Sequence, residues 1–338
     1  MSKDDFEYHA HAAGASSNMA AGNSSVFHVE GVTVPADTAA VLSETACAFA
    51  VRLIRMALEE DGPDLTSLGI FPEEEESSAY IVAKQRTLVV GLPLISLVLA
   101  VTGMDPSSWQ AEVKEGALVE TGTVVARLHG RTVQLLKAER IILNLMTHLS
   151  GVADLTREYV LRLEGTGVRL LDTRKTLPGQ RYLEKYAVRV AGGCNHRMNL
   201  GDMLMIKDNH IDAAGSITDA VKSLRERYHP CPPIEVECRD RAEVAEAVAS
   251  RPERILLDNM GPAQLAEVLP LIPRDIEAEI SGGVTLESIR TLAEACPERP
   301  ADFISVGRIT HSAPSADFSM RMERGVKATC TGKCPEHI

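Results

Sequence analysis

After Gly167 the chain changes rhythm, and that change restricts its fold more than any other feature of its 338 residues. Short apolar runs alternate with longer stretches at helical spacing: VRLLD then RYLEKYAVRVA, MLMIKD then SITDAVKSLRERY, PIEVEC then RAEVAEAVAS, RILLD then PAQLAEVLPLI, IEAEIS then LESIRTLAEAC, and last FISVG. Strands that alternate with helices build βαβ units around a parallel sheet. So many units in succession favour a barrel related to the eight-fold β/α type. The alternation alone does not separate a six- or seven-stranded barrel from an open sheet.

The phase within these strands says where the acids point. In PIEVEC, Ile234, Val236 and Cys238 share one face and Glu235 and Glu237 the other; in IEAEIS, Ile276, Ala278 and Ile280 alternate with Glu277, Glu279 and Ser281. Successive strand residues face opposite sides of a sheet, so an apolar face packed under helices turns the carboxylates into the lumen. A lumenal carboxylate is costly unless paired or solvated, and barrels place their chemistry at the C-terminal strand ends. Glu237 and Asp258, near those ends, are expected to be functional. Glu235, Glu277 and Glu279 are expected to form an internal ion-pair network.

Ahead of the barrel the organisation differs. Residues 1–45 are rich in Ala, Ser, Gly and His without a sustained period and are read as a disordered leader, with order expected from about Ala39. Residues 46–150 form a first domain. Its signs are a helix carrying Val41, Ala48, Val51, Ile54 and Leu58, a buried apolar run from Leu88 to Gly103, and hairpins turning at Gly116 and Gly122. A long amphipathic segment from Lys137 to Leu163 leads into the barrel, read as 151–320, and 321–338 is a tail placed to pack back on the first domain.

Charge and composition exclude several roles. With 35 Lys+Arg against 47 Asp+Glu the formal charge is −12, which argues against a general nucleic-acid binder. The start, MSKDDFEYHA, has no signal-peptide core, and the longest apolar stretch is too short to span a bilayer. Seven scattered cysteines do not suggest a disulfide framework, so a cytoplasmic setting is expected; Cys330 and Cys334 are read as a chance pair.

The segment from Asp172 to His210 reverses this charge, with seven basic residues (Arg174, Lys175, Arg181, Lys185, Arg189, Arg197, Lys207) against four acids. DTRKT follows one strand, NHR follows a Gly-Gly turn, and IKDNH follows another strand. Arg supplies a planar fork for carboxylates and Lys a point charge for phosphates, so this cluster suits an anionic small molecule. SGG at 281–283 and VGRITHS at 306–312 add glycines after late strands, where backbone N–H groups can cradle a phosphate.

Taken in order, DTRKTLPG, YAVRVAGGCNHR, MIKDNHI, IEVE, LLDN, SGG and SVGRITHSAP resemble quinolinate phosphoribosyltransferase, as do ERIILNLMTHLSGVADLT and EEDGPDLTS upstream. The resemblance covers about residues 45–320. It implies an N-terminal α/β sandwich domain followed by an incomplete α/β barrel. It also implies conversion of quinolinate and phosphoribosyl pyrophosphate to nicotinate mononucleotide, pyrophosphate and carbon dioxide, with magnesium, in at least a dimer. By the same resemblance, Arg174, His196, Arg197 and Lys207 surround the quinolinate carboxylates, and Arg140 reaches in from the partner subunit. Lys175 and Lys207 approach the pyrophosphate. Glu237 and Asp258 face the ribose hydroxyls and the magnesium. Ser281, Gly282, Gly283, Gly307 and His311 hold the 5′-phosphate.

Ile280 and Arg308 stand where the family more often has smaller residues. Three rivals stay open on sequence: a nicotinate phosphoribosyltransferase or a pyrophosphorylase-like paralogue, a non-catalytic anion-binding protein of the same fold, and a Schiff-base barrel enzyme using Lys207. The full cation set favours a diacid over a monoacid. His148 and His210 have no assigned role.

Overall fold

The computed structural model describes residues 27–323. Order begins well before Ala39. A ribbon of β1 (His28–Val29) and β2 (Val32–Thr33) leads to α1 (Ala36–Val41). Within the span read as a leader, residues from Phe27 onward are structured, with Val29, Val32 and Val34 buried in the core. Residues 1–26, and the tail beyond Glu323 with Cys330 and Cys334, lie outside the described residues.

The expected first helix is divided. Ser43 accepts from the Ala46 N–H as an N-cap, so α2 (Glu44–Asp61) starts after Val41 and ends at Gly62. Next come α3 (Leu65–Ile70), β3 (Glu76–Ala83) and β4 (Thr87–Leu88). The apolar run from Leu88 forms α4 (Leu92–Val101), buried almost throughout, with the Glu115 carboxylate accepting from the Gly91 and Leu92 N–H groups at its start. β5 (Trp109–Ala111), β6 (Leu118–Val119) and β7 (Val124–Arg131) follow.

The 32-residue α5 (Thr132–Leu163) is the spine of the molecule. Ser150 and Asp154 on it hold the backbone of Val90 and Leu88 in the first domain. At Gly151 the returning chain passes so close that a Cβ would lie 2.0 Å from the Pro314 carbonyl oxygen.

Beyond α5 the alternation read from sequence appears strand for strand: β8 (Arg169–Leu171), α6 (Arg181–Val190), β9 (Leu204–Ile206), α7 (Asp208–Ala214), α8 (Ile217–Arg227), β10 (Ile234–Cys238), α9 (Arg241–Ser250), β11 (Arg254–Asp258), α10 (Pro262–Val268), β12 (Glu277–Ser281), α11 (Ile289–Ala293), β13 (Phe303–Ser305) and α12 (Arg308–His311). The six strands pair in parallel in the order β8-β13-β12-β11-β10-β9. No pairing joins β8 to β9, so the barrel is incomplete at that seam. Finally β14 (Phe318–Glu323) returns to pair with β3, giving the antiparallel sheet β14-β3-β7-β5. The described molecule is thus an N-terminal α/β domain, closed by the returning strand β14, joined to a TIM-like incomplete barrel. Among the described residues, no helix is long and apolar enough to cross a membrane.

Candidate active site

The C-terminal strand ends surround a cavity of about 560 Å³. Arg174, Lys175, His196, Arg197 and Lys207 line it together with Glu237, Asp258, Ser281, Gly282 and Gly283. Residues as far apart in sequence as Thr173 and Ser305 meet here because parallel strands place all their C-termini on one face.

The cationic wall rests on a buried weld. Lys185 of α6 and Asp172, just after β8, are both fully buried, with Nζ 2.6 Å from Oδ1. The Lys185 ammonium also donates to the His196 and Arg197 carbonyls, at 2.8 and 3.1 Å. Asp172 also accepts from the His196 N–H and from Asn195 Nδ2. Three acceptors around the ammonium and three donors around the carboxylate keep both ionised and fix the DTRKT loop to the NHR loop. In the sequence these two residues read only as part of a charge count.

On that support Arg197 donates to the Met203 carbonyl. Burial and the neighbouring Arg174 lower its pKa. The Nε of Arg174 is buried without a partner. Two adjacent guanidiniums, one with an orphaned donor, form a site that an anion with two carboxylates would relieve. Lys207 extends over the cavity to Glu237, Nζ to Oε2 2.6 Å. His210 accepts from the Lys207 backbone N–H and so fixes the start of α7.

His196, expected beside a substrate carboxylate, lines the cavity. Its Nδ1 accepts from the Arg197 N–H at 2.7 Å. Its Nε2 lies 3.1 Å from Glu235 and 3.5 Å from Glu279, without hydrogen-bond alignment. The ring borders the cavity, with Nδ1 engaged by the Arg197 N–H and Nε2 buried beside two carboxylates without a hydrogen bond. Burial lowers its pKa.

Beneath it lies the lumenal network. Glu235 and Glu279 are fully buried, and Arg254 pairs with Glu277 at 2.6 Å and with Glu279 at 3.2 Å. The Arg254 guanidinium also stacks on Phe303, 4.5 Å from the ring centroid. Burial, with Glu235 beside it, pushes Glu279 up to about 7. The strand phase had placed these acids in the lumen; their partner Arg254 went unnoticed, although it occupies the same face of β11 as Asp258.

On the opposite side Asn259 Nδ2 donates to the Asp258 carboxylate, at 2.8 Å. The Asn259 N–H donates to the Ser281 carbonyl, under the Gly282–Gly283 turn. Gly282 has φ +90°, and a Cβ there would lie 2.4 Å from Asn259 Oδ1. Gly307 adjoins the Lys175 side chain and His311, all at the rim. Thr310 Oγ1 donates to the Lys175 carbonyl at 2.7 Å. Three expected residues do not themselves line this cavity: Gly307, which adjoins Lys175, its neighbour His311, and Arg140, which is exposed on α5.

The family model described as "Quinolinate phosphoribosyl transferase, C-terminal domain" matches residues 152–321, and its N-terminal counterpart matches 64–150. The chain is 42% identical over 264 residues to the probable carboxylating nicotinate-nucleotide pyrophosphorylase of Bacillus subtilis, covering 78% of this chain and 89% of the relative. It is 38% identical to the carboxylating nicotinate-nucleotide pyrophosphorylase of Mycobacterium leprae, with coverage of 79% and 95%. The crystal structure of NadC from Streptococcus pyogenes superposes with a TM-score of 0.74 at 36% identity, covering 80% of this chain and 94% of that one.

Proposed function

The chain belongs to the quinolinate phosphoribosyl transferase family, and from that premise we propose how its cavity divides between two substrates. The reaction transfers phosphoribosyl from phosphoribosyl pyrophosphate to quinolinate with decarboxylation, giving nicotinate mononucleotide, pyrophosphate and carbon dioxide, the entry of quinolinate into NAD synthesis.

The observation that carries the division is the segregation of charge across one cavity. Arg174, Arg197 and Lys207 hold the quinolinate carboxylates, with the orphaned Arg174 Nε as one donor. His196 keeps Arg197 in place through its backbone N–H. Ser281, Gly282 and Gly283, with Gly307 and His311 at the rim, take the 5′-phosphate, and Lys175 takes the pyrophosphate with help from Lys207. Glu237 and Asp258 lie below the ribose.

In this arrangement the quinolinate nitrogen attacks C1 of the ribose while the bond to pyrophosphate breaks. Positive charge grows on the sugar, beside Glu237 and Asp258, and negative charge on the leaving group, beside Lys175 and Lys207. Fixed charges aimed at both ends are the dominant catalytic term for such a step. Once the nitrogen is quaternary its positive charge stabilises the in-plane electron pair left on C2 as the C2–carboxylate bond breaks and carbon dioxide departs, and that pair takes up a proton from solvent. Glu237 and Asp258, from neighbouring strands, both line the cavity with hard carboxylate oxygens, a donor set that fits magnesium. When bound there with the pyrophosphate, magnesium neutralises charge on the leaving group.

The exposed Arg140 is assigned to the cavity of a partner subunit in a homodimer or larger assembly. The protein is assigned to the cytoplasm, in keeping with the free thiols of Cys47, Cys194, Cys231, Cys238 and Cys296. The Schiff-base rival is disfavoured because Lys207 Nζ is paired with Glu237 at 2.6 Å rather than set free in an apolar pocket.

A product assay tests the reading. Protein with phosphoribosyl pyrophosphate and magnesium is offered quinolinate or nicotinate, alongside Lys175→Ala and Glu237→Ala. Nicotinate mononucleotide and carbon dioxide from quinolinate alone, lost in both variants, is the expected result. Turnover of nicotinate instead, or undiminished turnover by the variants, overturns it.

A further inference from the structure

We propose that His148 and Glu184 are positioning residues for the loop that carries Arg174 and Lys175, a role that rests on the assignment of Lys175 to the pyrophosphate. His148 lies on α5 and Glu184 in the first turn of α6. Glu184 is fully buried, and His148 is 15% exposed at its side chain, with Nε2 2.8 Å from Glu184 Oε1. The same carboxylate accepts from the Leu177 N–H, at 3.2 Å to one oxygen and 3.4 Å to the other. Leu177 is two residues beyond Lys175.

A buried carboxylate must be satisfied by donors or it neutralises or moves. Glu184 has two: the backbone of the catalytic loop and the His148 ring. An ionised Glu184 requires the proton of His148 on Nε2, so the imidazole acts as a fixed donor. The ring thereby locks the carboxylate that grips the loop. Without it, the carboxylate is left with one long backbone contact, and the loop is free to follow it.

The loop has a second tether and few others. Thr310 Oγ1 donates to the Lys175 carbonyl at 2.7 Å, and the Lys175 N–H donates to Thr173 Oγ1 at 3.0 Å. Arg181 Nε reaches Thr176 Oγ1 at 3.2 Å. The Lys175 side chain itself is exposed toward the cavity. A flexible, solvated ammonium of this kind depends on its backbone for its aim. Thr310 therefore fixes the loop at Lys175 and the His148–Glu184 pair fixes it at Leu177. Lys175 stands just ahead of the second anchor, so its release moves the leaving-group end of the cavity, whereas Arg174, two residues after Asp172, stays with the weld at the quinolinate end. The Asp172–Lys185 weld, and with it the Arg197 side of the cavity, is untouched.

The test compares His148→Phe, which keeps the ring volume without a donor, with His148→Gln, whose amide N–H can reach Glu184. His148→Phe is expected to lower kcat and raise KM for phosphoribosyl pyrophosphate, about tenfold in kcat/KM together. Its quinolinate affinity by calorimetry should stay within twofold of wild type, roughly the resolution of the comparison. His148→Gln should recover most of the loss. Should His148→Phe fail to fold, Thr310→Val, which removes the other tether, is expected to show the same split. Equal loss for both substrates, no rescue by glutamine, or a wild-type kcat/KM in the folded variant overturns the proposal. Lys175→Ala in the same assay keeps the two ideas apart: if it retains full turnover, the assignment of Lys175 is what fails.

Discussion

The Lys185 ammonium lies 2.6 Å from the Asp172 carboxylate with neither side chain exposed, and it joins two loops that each carry an arginine lining the cavity. Burial raises the pKa of Asp172 and lowers that of Lys185, and in each case the partner opposes the shift. The pair survives because each ion also has neutral partners: two backbone carbonyls for Lys185, one backbone N–H and Asn195 for Asp172.

Breaking that pair from one side leaves an uncompensated charge. Lys185→Met is expected to cost about 3–5 kcal/mol of stability, the usual penalty for an orphaned buried ion. Asp172→Asn together with Lys185→Met should cost less than the sum of the single changes, since neither charge remains. Urea unfolding of the three variants measures both. Additive losses would show that the two side chains do not act as a unit.

The turn at Gly282 makes a narrower prediction. A Cβ there would meet Asn259 Oδ1 at 2.4 Å and the Asn259 backbone nitrogen at 2.7 Å, and the φ of +90° is itself unfavourable for an L residue. Gly282→Ala must therefore push the turn away from Asn259. Strain of about 1–3 kcal/mol at this point should raise KM for phosphoribosyl pyrophosphate by roughly tenfold or more. Quinolinate binding, which depends on the other wall, should be unchanged in calorimetry. A shift in quinolinate affinity equal to that in KM would mean the turn does not serve one substrate.

Glu279 supplies the pH dependence. Its carboxyl is pushed up from 4.5 to about 7, first by burial and then by Glu235. Between those values the folded protein holds a proton that the unfolded chain has released, so this group lowers stability as pH rises through the window, and the penalty is complete above about 7. His196, whose pKa burial lowers, works in the opposite sense as pH falls, which is why a difference between variants is the useful quantity. Glu279→Gln cannot titrate. Its Tm relative to wild type should therefore climb between about pH 5 and pH 8. A constant difference in melting curves across that range would mean the Glu279 carboxyl is ionised throughout.

How much of this was legible beforehand follows from what periodicity can and cannot encode. The alternation after Gly167 set out six strands and the helices between them, and the phase of PIEVEC and IEAEIS turned the right carboxylates inward, because both signals are local. The division of the first helix at Ser43 and the ordered ribbon at Val29 and Val32 depend on a cap and on distant packing, and neither alters the periodic pattern. The same holds in the site. Arg174, Lys175, Lys207, Glu237 and Asp258 announced themselves by charge at strand ends. Asp172, Glu184 and Lys185 are equally charged and equally close in sequence, and only burial distinguishes supports from ligands. Arg254 was missed because a basic residue opening an apolar strand reads as a solvated end; its partners come from β12, and Phe303 from β13.

Arg140 offers the sharpest test of the assembly. It is exposed on α5 and absent from the lining of its own chain's cavity. If it serves the partner's cavity, the Arg140→Ala and Lys175→Ala defects of a mixed dimer fall in the same cavity. Each homodimer should be nearly inactive. Co-refolded or subunit-exchanged in equal amounts, half the dimers would be mixed, each with one cavity that carries both defects and one that carries neither. Restored turnover of about a quarter of wild type is then expected in a closed two-fold dimer. The readout is nicotinate mononucleotide formation before and after mixing, with sedimentation confirming the assembly. No recovery from a demonstrably mixed population would place Arg140 outside the partner's chemistry, whereas recovery requires a complete site to be built from two chains.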